Sequence, residues 1–360
     1  DSTIARIIDL IENSTNQKAK TENFIPKFAR VYTPVVTLAA LLIFSIPSII
    51  DPANMDEYIF RAATFLVISC PCALVLSIPL SYFAGIGASA KDGILFKGSN
   101  FLDMMNEVDT IGIDKTGTLT HGNFEVAGYT DYKTLKYAAS LEQYSNHPIG
   151  RSIVNAYQGN FAGYEDVHEV AGFGMSAKTG KGTLLVGNKK MLENEGVELK
   201  DEKDLAGTNV FVALGGHYVG RIVVKDQLRR SSISAIKKLS SKRTITMLTG
   251  DNEATASEVA GELGDIDYKP NLLPEDKIKH FNALETTRKK MYIGDGINDA
   301  PLIKSADIGL AMGGGSQLAL DVADVIIMDD DLTLVDKAFS LSRKTRNIVY
   351  QNIVLSLGVK

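Results

Sequence analysis

Two long runs of this chain carry no charged residue, Val31 to Ile50 and Ala62 to Ala90. Each is long enough to cross a hydrocarbon core of roughly 30 Å as a helix. The competing reading is a pair of buried core helices. Arg30 and Asp51 bracket the first run, and Arg61 and Lys91 bracket the second. The loop from Asp51 to Tyr58 is short and acidic, whereas the basic residues gather in Lys18 to Arg30 and Lys91 to Lys97. The positive-inside tendency places the short loop outside and both long flanks in the cytoplasm. An integral membrane protein follows, expected in the plasma membrane, with lipid as a partner. The expected spans cover residues 31–50 and 59–90.

Outside these runs the 360 residues allow two or three further domains. A net charge of -5 gives no basic surface for nucleic acid. The chain opens at Asp1, with neither an initiator methionine nor a signal peptide. Ile348 to Val359 is largely apolar, and the sequence stops at Lys360. The chain reads as an internal piece of a larger membrane protein, with residues 343–360 opening a further span. Ile4, Ile7, Ile8, Leu10 and Ile11 recur at helical spacing, so residues 1–30 read as a cytoplasmic linker helix.

From Phe101 the pattern is α/β. Strand candidates are Thr110 to Ile113, Phe211 to Leu214, Tyr218 to Val224, Thr244 to Leu248, Lys290 to Ile293 and Asp324 to Ile327. Helical segments such as Ser231 to Leu239 and Glu253 to Leu263 lie between several of them. That alternation predicts a doubly wound parallel sheet. The stretch from Thr120 to about Ala213 breaks the rhythm, with its own helix (Thr134 to Leu141) and strand (Gly182 to Val186). A connection of that length reads as an inserted domain. The expected boundaries are 101–120 with 214–335 for one domain and 121–213 for the insertion.

The chemistry begins at Asp114-Lys115-Thr116-Gly117-Thr118-Leu119-Thr120, directly after the apolar strand Val108 to Ile113. α/β sheets place their reactive groups at the C-terminal ends of strands. A carboxylate there can attack a phosphoryl group and hold it as an acyl phosphate. The small residues that follow free backbone N–H groups to cradle phosphate. Thr249-Gly250-Asp251 ends another strand and offers a hydroxyl and an N–H to a phosphate oxygen. Lys277 can neutralise charge on the transferring group. Gly294 to Pro301 carries clustered carboxylates, Asp295 and Asp299, that suit Mg²⁺. Taken singly, Thr249 to Asp251 also suits a helix-capping turn, and Lys277 an ordinary surface lysine.

Together these strings resemble the haloacid-dehalogenase-like phosphotransferases, and the strings at Asp114 and Gly294 resemble the signatures of P-type ATPases. The resemblance implies an α/β haloacid-dehalogenase-like phosphorylation domain with an inserted α+β nucleotide-binding domain, plus transmembrane helices. It implies Asp114 as nucleophile, within the catalytic string that includes Lys115 and Thr116. The Asp114 carboxylate, the Thr116 carbonyl and Asp295 would hold Mg²⁺, with Asp299 also in the metal site. Thr249 and Lys277 would contact phosphoryl oxygens, Gly250 and Asp251 would complete that loop, and Asn298 would support the site.

Within the insertion, Ser145-Asn146-His147-Pro148 and Gly172-Phe173-Gly174 are weak signals alone, since a histidine beside proline is usually a turn residue. With Glu142 and Gly187-Asn188 they resemble the nucleotide-binding pattern of heavy-metal P-type ATPases. That resemblance implies ATP contacts from Glu142, His147, Gly172, Gly174, Gly187 and Asn188.

The only two cysteines, Cys70 and Cys72, flank Pro71 in the middle of the second run. Residues so close make no ordinary disulfide. Residues two apart on a helix point to nearly opposite sides. Pro71 cannot donate its backbone bond, so the helix must loosen and both sulfurs can reach one ion. Thiolates favour Zn²⁺, Cd²⁺ or Cu⁺ over hard cations. The triplet resembles the mark of heavy-metal P-type ATPases. Copper transporters of that family usually carry a Tyr-Asn pair in the next span. Here the end reads Asn352 to Lys360 without that pair, which resembles the zinc/cadmium/lead subgroup, as does Leu76 to Leu80. A lysine deep in a membrane costs about 2.5–3.5 kcal/mol. Pairing with the two thiolates gives Lys360 a reason to sit there; snorkelling at the boundary is the alternative.

The resemblance therefore implies a P-type ATPase that exports soft divalent metals (Zn²⁺, Cd²⁺, Pb²⁺) through an aspartyl phosphate, with Mg²⁺ and ATP as cofactors. A single copy is expected to suffice. Copper export, a phosphatase of the same fold, and a membrane-anchored metal sensor are the competing readings. The family's Thr-Gly-Glu loop, actuator domain and final span have no counterpart in the sequence. The chain is accordingly expected to form phosphoenzyme weakly and not to complete a cycle.

Overall fold

The computed structural model describes residues 24–69, 72–170, 172–199 and 205–358. Three helices come first: α1 (Phe24–Ile50), α2 (Met55–Ile68) and α3 (Cys72–Lys91). Among the described residues, Ala29–Ile50 of α1 is the one segment long and apolar enough to cross a membrane. Its large side chains face outward, Ile49 reaching 80% exposure, as a helix bathed in lipid requires. Asp51 turns the chain between α1 and α2, accepting from the Ala53 N–H at 3.2 Å and the Asn54 amide at 2.8 Å. The Tyr32 hydroxyl donates to the Ser69 carbonyl at 2.6 Å, which ties α1 to the end of α2.

A single helix over 59–90 does not form. α2 ends at Ile68 and α3 starts at Cys72. Cys70 and Pro71 lie outside the described residues, and so do residues 1–23 of the linker helix and Lys360.

The first sheet has seven strands: β1 (Ile94–Phe96), β2 (Val108–Asp114), β9 (Thr244–Leu248), β10 (Asp267–Lys269), β11 (Lys289–Gly294), β12 (Ile308–Met312) and β13 (Val325–Ile327). Their order across the sheet is β1-β13-β12-β11-β2-β9-β10. Every pairing is parallel except β1 with β13. β2 lies at the interior of the sheet, between β11 and β9, and its side chains are buried from Thr110 onward. Continuous apolar strands are what a sheet covered on both faces demands.

The second sheet has six antiparallel strands: β3 (Thr120–Tyr129), β4 (Glu165–Val170), β5 (Gly174–Thr179), β6 (Gly182–Gly187), β7 (Thr208–Leu214) and β8 (His217–Leu228), in the order β3-β8-β7-β6-β5-β4. Here the sequence reading needs correction. Tyr218 to Val224 was expected with the parallel strands, and the insertion was expected to close at 213. β8 instead pairs antiparallel with both β3 and β7, so the chain re-enters the first sheet only after Leu228. Val210, Val212, Ile222 and Val224 point into the insertion's own core with Leu135, Ala138 and Leu184. A run of β-branched residues declares a strand but not its partner.

The last helix, Thr333–Gly358, is continuous from the first sheet to the apolar helices. It starts ten residues before the expected span at 343. Val335, Ala338 and Phe339 are buried in the core of the first sheet. The Arg243 guanidinium stacks 3.4 Å over the Phe339 ring. Further along, the Asn352 amide donates to the Ser81 hydroxyl of α3 at 3.0 Å. The two helices approach closely because Gly85 has no side chain. A Cβ there would stand 2.5 Å from Thr345 Oγ1 and 2.7 Å from its methyl carbon. Gly85→Ala is therefore expected to cost about 1–3 kcal/mol through overpacking, read as a lowered unfolding midpoint in detergent. Gly87→Ala, with nothing within 4 Å of the added carbon, is the control expected to leave the midpoint in place.

Candidate phosphoryl-transfer and nucleotide site

Register brings the expected residues together. Ile113 of β2 pairs with Met247 of β9 on one side and Ile293 of β11 on the other. The chain therefore leaves three neighbouring strands at one level, carrying Asp114, Thr249 and Asp295 into a common crevice. Their loops and the start of helix Pro274–Ala283 enclose a cavity of about 480 Å³. Asp114, Thr116, Thr249, Gly250, Asp251, Lys277, Asp295, Asn298 and Asp299 all line it.

Asp114 is only 6% exposed. The Lys277 ammonium donates to Asp114 Oδ1 at 2.6 Å and to Asp299 Oδ1 at 3.1 Å. The Tyr292 hydroxyl adds a 2.9 Å bond to that same Asp299 oxygen. Asp114, Asp295 and Asp299 each present a carboxylate oxygen within 4.8 Å of the others. Burial, then the Asp299 charge, raises the Asp114 carboxyl, and Lys277 opposes that shift. Burial likewise lifts Asp295 to about 6, with Asp299 adding to it. Burial works against the Lys277 ammonium, but the charges of Asp114 and Asp299 outweigh it and raise that group. Three crowded carboxylates, two of them bonded to one ammonium, are a donor set that fits a small, hard dication.

The loop after Asp114 is shaped by its glycine. Gly117 adopts φ +77°, and a Cβ there would lie 1.9 Å from Asp295 Oδ2. Only glycine permits both the turn and that approach. Lys115 behaves differently from its neighbours: it is buried, pairs with Asp251, and lines an adjoining cleft, not the cavity around Asp114. The Thr249 hydroxyl is occupied locally, donating to Asp251 Oδ2 and accepting the Asp251 N–H, both at 3.1 Å.

Three contributors, Arg229, Asp226 and Tyr292, lie outside the motifs of the sequence, and Thr120, the last residue of the Asp114 string, takes a role the string does not declare. The Arg229 guanidinium donates to the carbonyls of Thr120 and Gly117, each at 2.9 Å, and of Asp330 at 3.0 Å. The Thr120 hydroxyl accepts the Gly117 N–H at 3.1 Å and donates to Asp226 at 2.5 Å. Asp226 and Arg229 flank the end of β8, and charged residues closing an apolar strand were the available signal. Tyr292 sits inside an apolar strand and gave no signal.

The six residues expected to bind nucleotide line one separate cavity of about 280 Å³ in the insertion. His147 caps helix Pro148–Ala156, its Nδ1 accepting the Ile149 N–H at 3.2 Å. Asn188 ties the Gly172 turn to the next helix, donating to the Gly172 carbonyl at 3.0 Å and capping helix Lys189–Asn194 by accepting the Met191 N–H at 3.0 Å. Gly174 and Gly187 let β5 and β6 meet: an added Cβ would fall 2.2 Å from the Val186 carbonyl or 2.3 Å from the Phe173 carbonyl, respectively. Glu142 is buried at the cavity wall, and burial pushes its carboxyl up to about 7 against the Ser145 hydrogen bond. Two contacts brace the insertion on the first domain, Lys225 with Glu258 at 2.6 Å and the Gly207 N–H with Thr255 Oγ1 at 2.8 Å.

Comparison with known proteins places the chain in a family. Residues 108–307, more than half the chain, match the family model of haloacid dehalogenase-like hydrolases. The zinc-transporting ATPase of Synechocystis sp. is 44% identical over all of this chain and 52% of its own length. The cadmium, zinc and cobalt-transporting ATPase of Bacillus subtilis is 44% identical over all of this chain and 53% of its own. The crystal structure of a zinc-transporting PIB-type ATPase in its E2·Pi state superposes with a TM-score of 0.78 at 34% identity, covering 99% of this chain and 61% of that one. The chain belongs to the haloacid dehalogenase-like hydrolases and, within them, to the P-type ATPases. It spans about half the length of the curated relatives it matches.

Glu142 yields a pH prediction. Its folded value of about 7 lies above its ordinary 4.5. The folded chain therefore binds the extra proton between those values, and stability falls as pH rises through that window. Glu142→Gln removes the ionisation. The parent is expected to lose on the order of 2 kcal/mol relative to Glu142→Gln between pH 5 and 8, measured by denaturant unfolding at a series of pH values. Parallel profiles for the two proteins would contradict the assignment.

Proposed function

We propose that the chain is the catalytic and ion-path portion of an ATP-driven exporter of soft divalent metals, Zn²⁺, Cd²⁺ or Pb²⁺, working through phosphorylation of Asp114. The observation that carries the reading is the buried Asp114 carboxylate, held at one oxygen by Lys277 beside Asp295 and Asp299. Lys277 keeps that carboxylate oriented and leaves the other oxygen to attack the terminal phosphorus of ATP. The new O–P bond forms as the bond to the ADP oxygen breaks. Lys277 and the backbone N–H groups after Asp114 face the charge that develops on the phosphoryl oxygens. Tyr292 and Lys277 fix Asp299, so the acidic wall does not collapse onto the nucleophile. Asp114, Asp295 and the Thr116 carbonyl would hold Mg²⁺, which neutralises phosphate charge when bound.

ATP is placed with its base in the cavity of Glu142, His147, Gly172, Gly174, Gly187 and Asn188. The cargo path runs through the break between α2 and α3, where Cys70 and Cys72 supply thiolates and Lys360 is assigned as their charge partner. The relatives' names, which specify zinc and cadmium, support this choice of cargo. The catalytic domains are assigned to the cytoplasm of a plasma-membrane protein that works as a single copy.

The test is acid-stable labelling from radioactive ATP. Label is expected in the parent with Mg²⁺ and at background in Asp114→Asn. In Lys277→Met it is expected to form about 10²–10³-fold more slowly, the usual loss for one charge-stabilising group. Undiminished label in Asp114→Asn would sink the proposal. ATPase turnover of the full-length protein stimulated by Cu⁺ but not by Zn²⁺, Cd²⁺ or Pb²⁺ would overturn the metal assignment alone.

A further inference from the structure

Arg229 stands where two distant parts of the chain meet. Its guanidinium holds two carbonyls of the loop after Asp114, those of Gly117 and Thr120. The remaining donor reaches the Asp330 carbonyl at 3.0 Å, and the Asp330 carboxylate lies 3.6 Å away. Asp330 belongs to a turn, Met328 to Asp331, with unusual connections. The Met328 N–H donates to the Gly93 carbonyl at 2.8 Å, just past the end of α3. Asp331 accepts the Thr333 N–H at 2.9 Å and so opens the last helix. Lys337 on that helix pairs with Asp92 at 2.8 Å, closing the triangle. The turn therefore touches both helices that leave for the membrane, and Arg229 links it to the loop of the nucleophile.

We propose that Arg229 is a positioning residue that couples the Asp114 loop to the Met328–Asp331 turn, and through that turn to α3 and the last helix. The proposal rests on the reading that Asp114 accepts a phosphoryl group. Placing a phosphoryl group on Asp114 adds charge and bulk beside Gly117, whose carbonyl is one of the three that Arg229 holds. A planar guanidinium with five fixed donors can keep three carbonyls in one geometry. A lysine ammonium on a flexible stem cannot, so charge alone does not substitute for it. Packed junctions of this kind pass small shifts on because they do not deform continuously.

The chain contains no tryptophan, so Tyr350→Trp on the exposed side of the last helix gives a single reporter. In lipid nanodiscs, Mg²⁺ with beryllium fluoride serves as the aspartyl-phosphate mimic. The expected result is an emission change in the parent. Normalised to bound beryllium fluoride in the same sample, it falls about fivefold or more in Arg229→Met, the lower range of ordinary coupling. Arg229→Lys is expected to recover little of it. Asp330→Asn leaves the carbonyl bond but removes the charge of the carboxylate 3.6 Å from the guanidinium, on a partly exposed side chain, and is expected to lower the normalised change in the same direction. An unchanged normalised signal in Arg229→Met overturns the proposal, as does one in Asp330→Asn where the first variant fails to fold. So does a parent that binds the mimic without any emission change. A parent that takes up neither the mimic nor phosphate from ATP marks failure of the phosphorylation reading itself, and the proposal falls with it.

Discussion

The site depends on a charge problem that the fold sets for itself. Three carboxylates converge where β2 and β11 end, and Asp114 and Asp299 are almost wholly removed from water. Left alone, such a group would take up protons and lose its nucleophilic or ligating form. A single ammonium, Lys277, reaches Asp114 and Asp299 at once. Its burial would be unfavourable without them, and theirs without it. The arrangement is a device for holding an anion ready in a dry crevice, at a cost in stability that the surrounding core must offset. That core is extensive, running from Ile78 and Tyr82 near the membrane side through the sheet to Val349 on the last helix.

This continuity matters for function. The first sheet is not suspended from the membrane helices by a loose tether. α3 turns at Asp92–Gly93 directly into β1, an antiparallel edge strand of the same sheet that carries Asp114. The last helix begins beneath the sheet and returns along α3, held by the Gly85–Thr345 approach and by Asn352 on Ser81. A change at the crevice therefore meets stiff elements in both directions. The insertion is joined differently, through the two ends of β3 and β8 and a few polar contacts on helix Glu253–Glu262. Few contacts across a joint are what a domain carrying nucleotide toward a fixed nucleophile would use.

Much of this was legible in the residues. The strings at Asp114, Thr249 and Gly294 each follow an apolar run, and strand-then-polar-loop is a local pattern. The insertion's glycines at 172, 174 and 187 were also visible: Gly172 takes a positive φ, and an added Cβ at Gly174 or Gly187 would meet backbone of the facing strand or turn. Less legible was anything that depends on a distant partner. β8 was read into the parallel sheet because its alternation fits either sheet. Arg229 passed unnoticed because its three acceptors are backbone carbonyls, which no sequence spells out. Lys115, read with its string, turns to the carboxylate of the distant Asp251 and does not line the Asp114 cavity.

The sequence by itself determined the uncharged apolar runs, several of the strands and helices, and the polar strings that follow apolar strands. These follow from hydrophobic length, periodicity and turn chemistry, all of which act locally. Only the tertiary structure decided which strands neighbour β2, that Lys277 bridges two carboxylates, and that one turn at Met328–Asp331 touches both membrane-bound helices. Those facts arise from register and packing between residues that are mostly distant in the chain, such as Lys277 and Asp114, 163 positions apart, where the free energy depends on fit and not on composition.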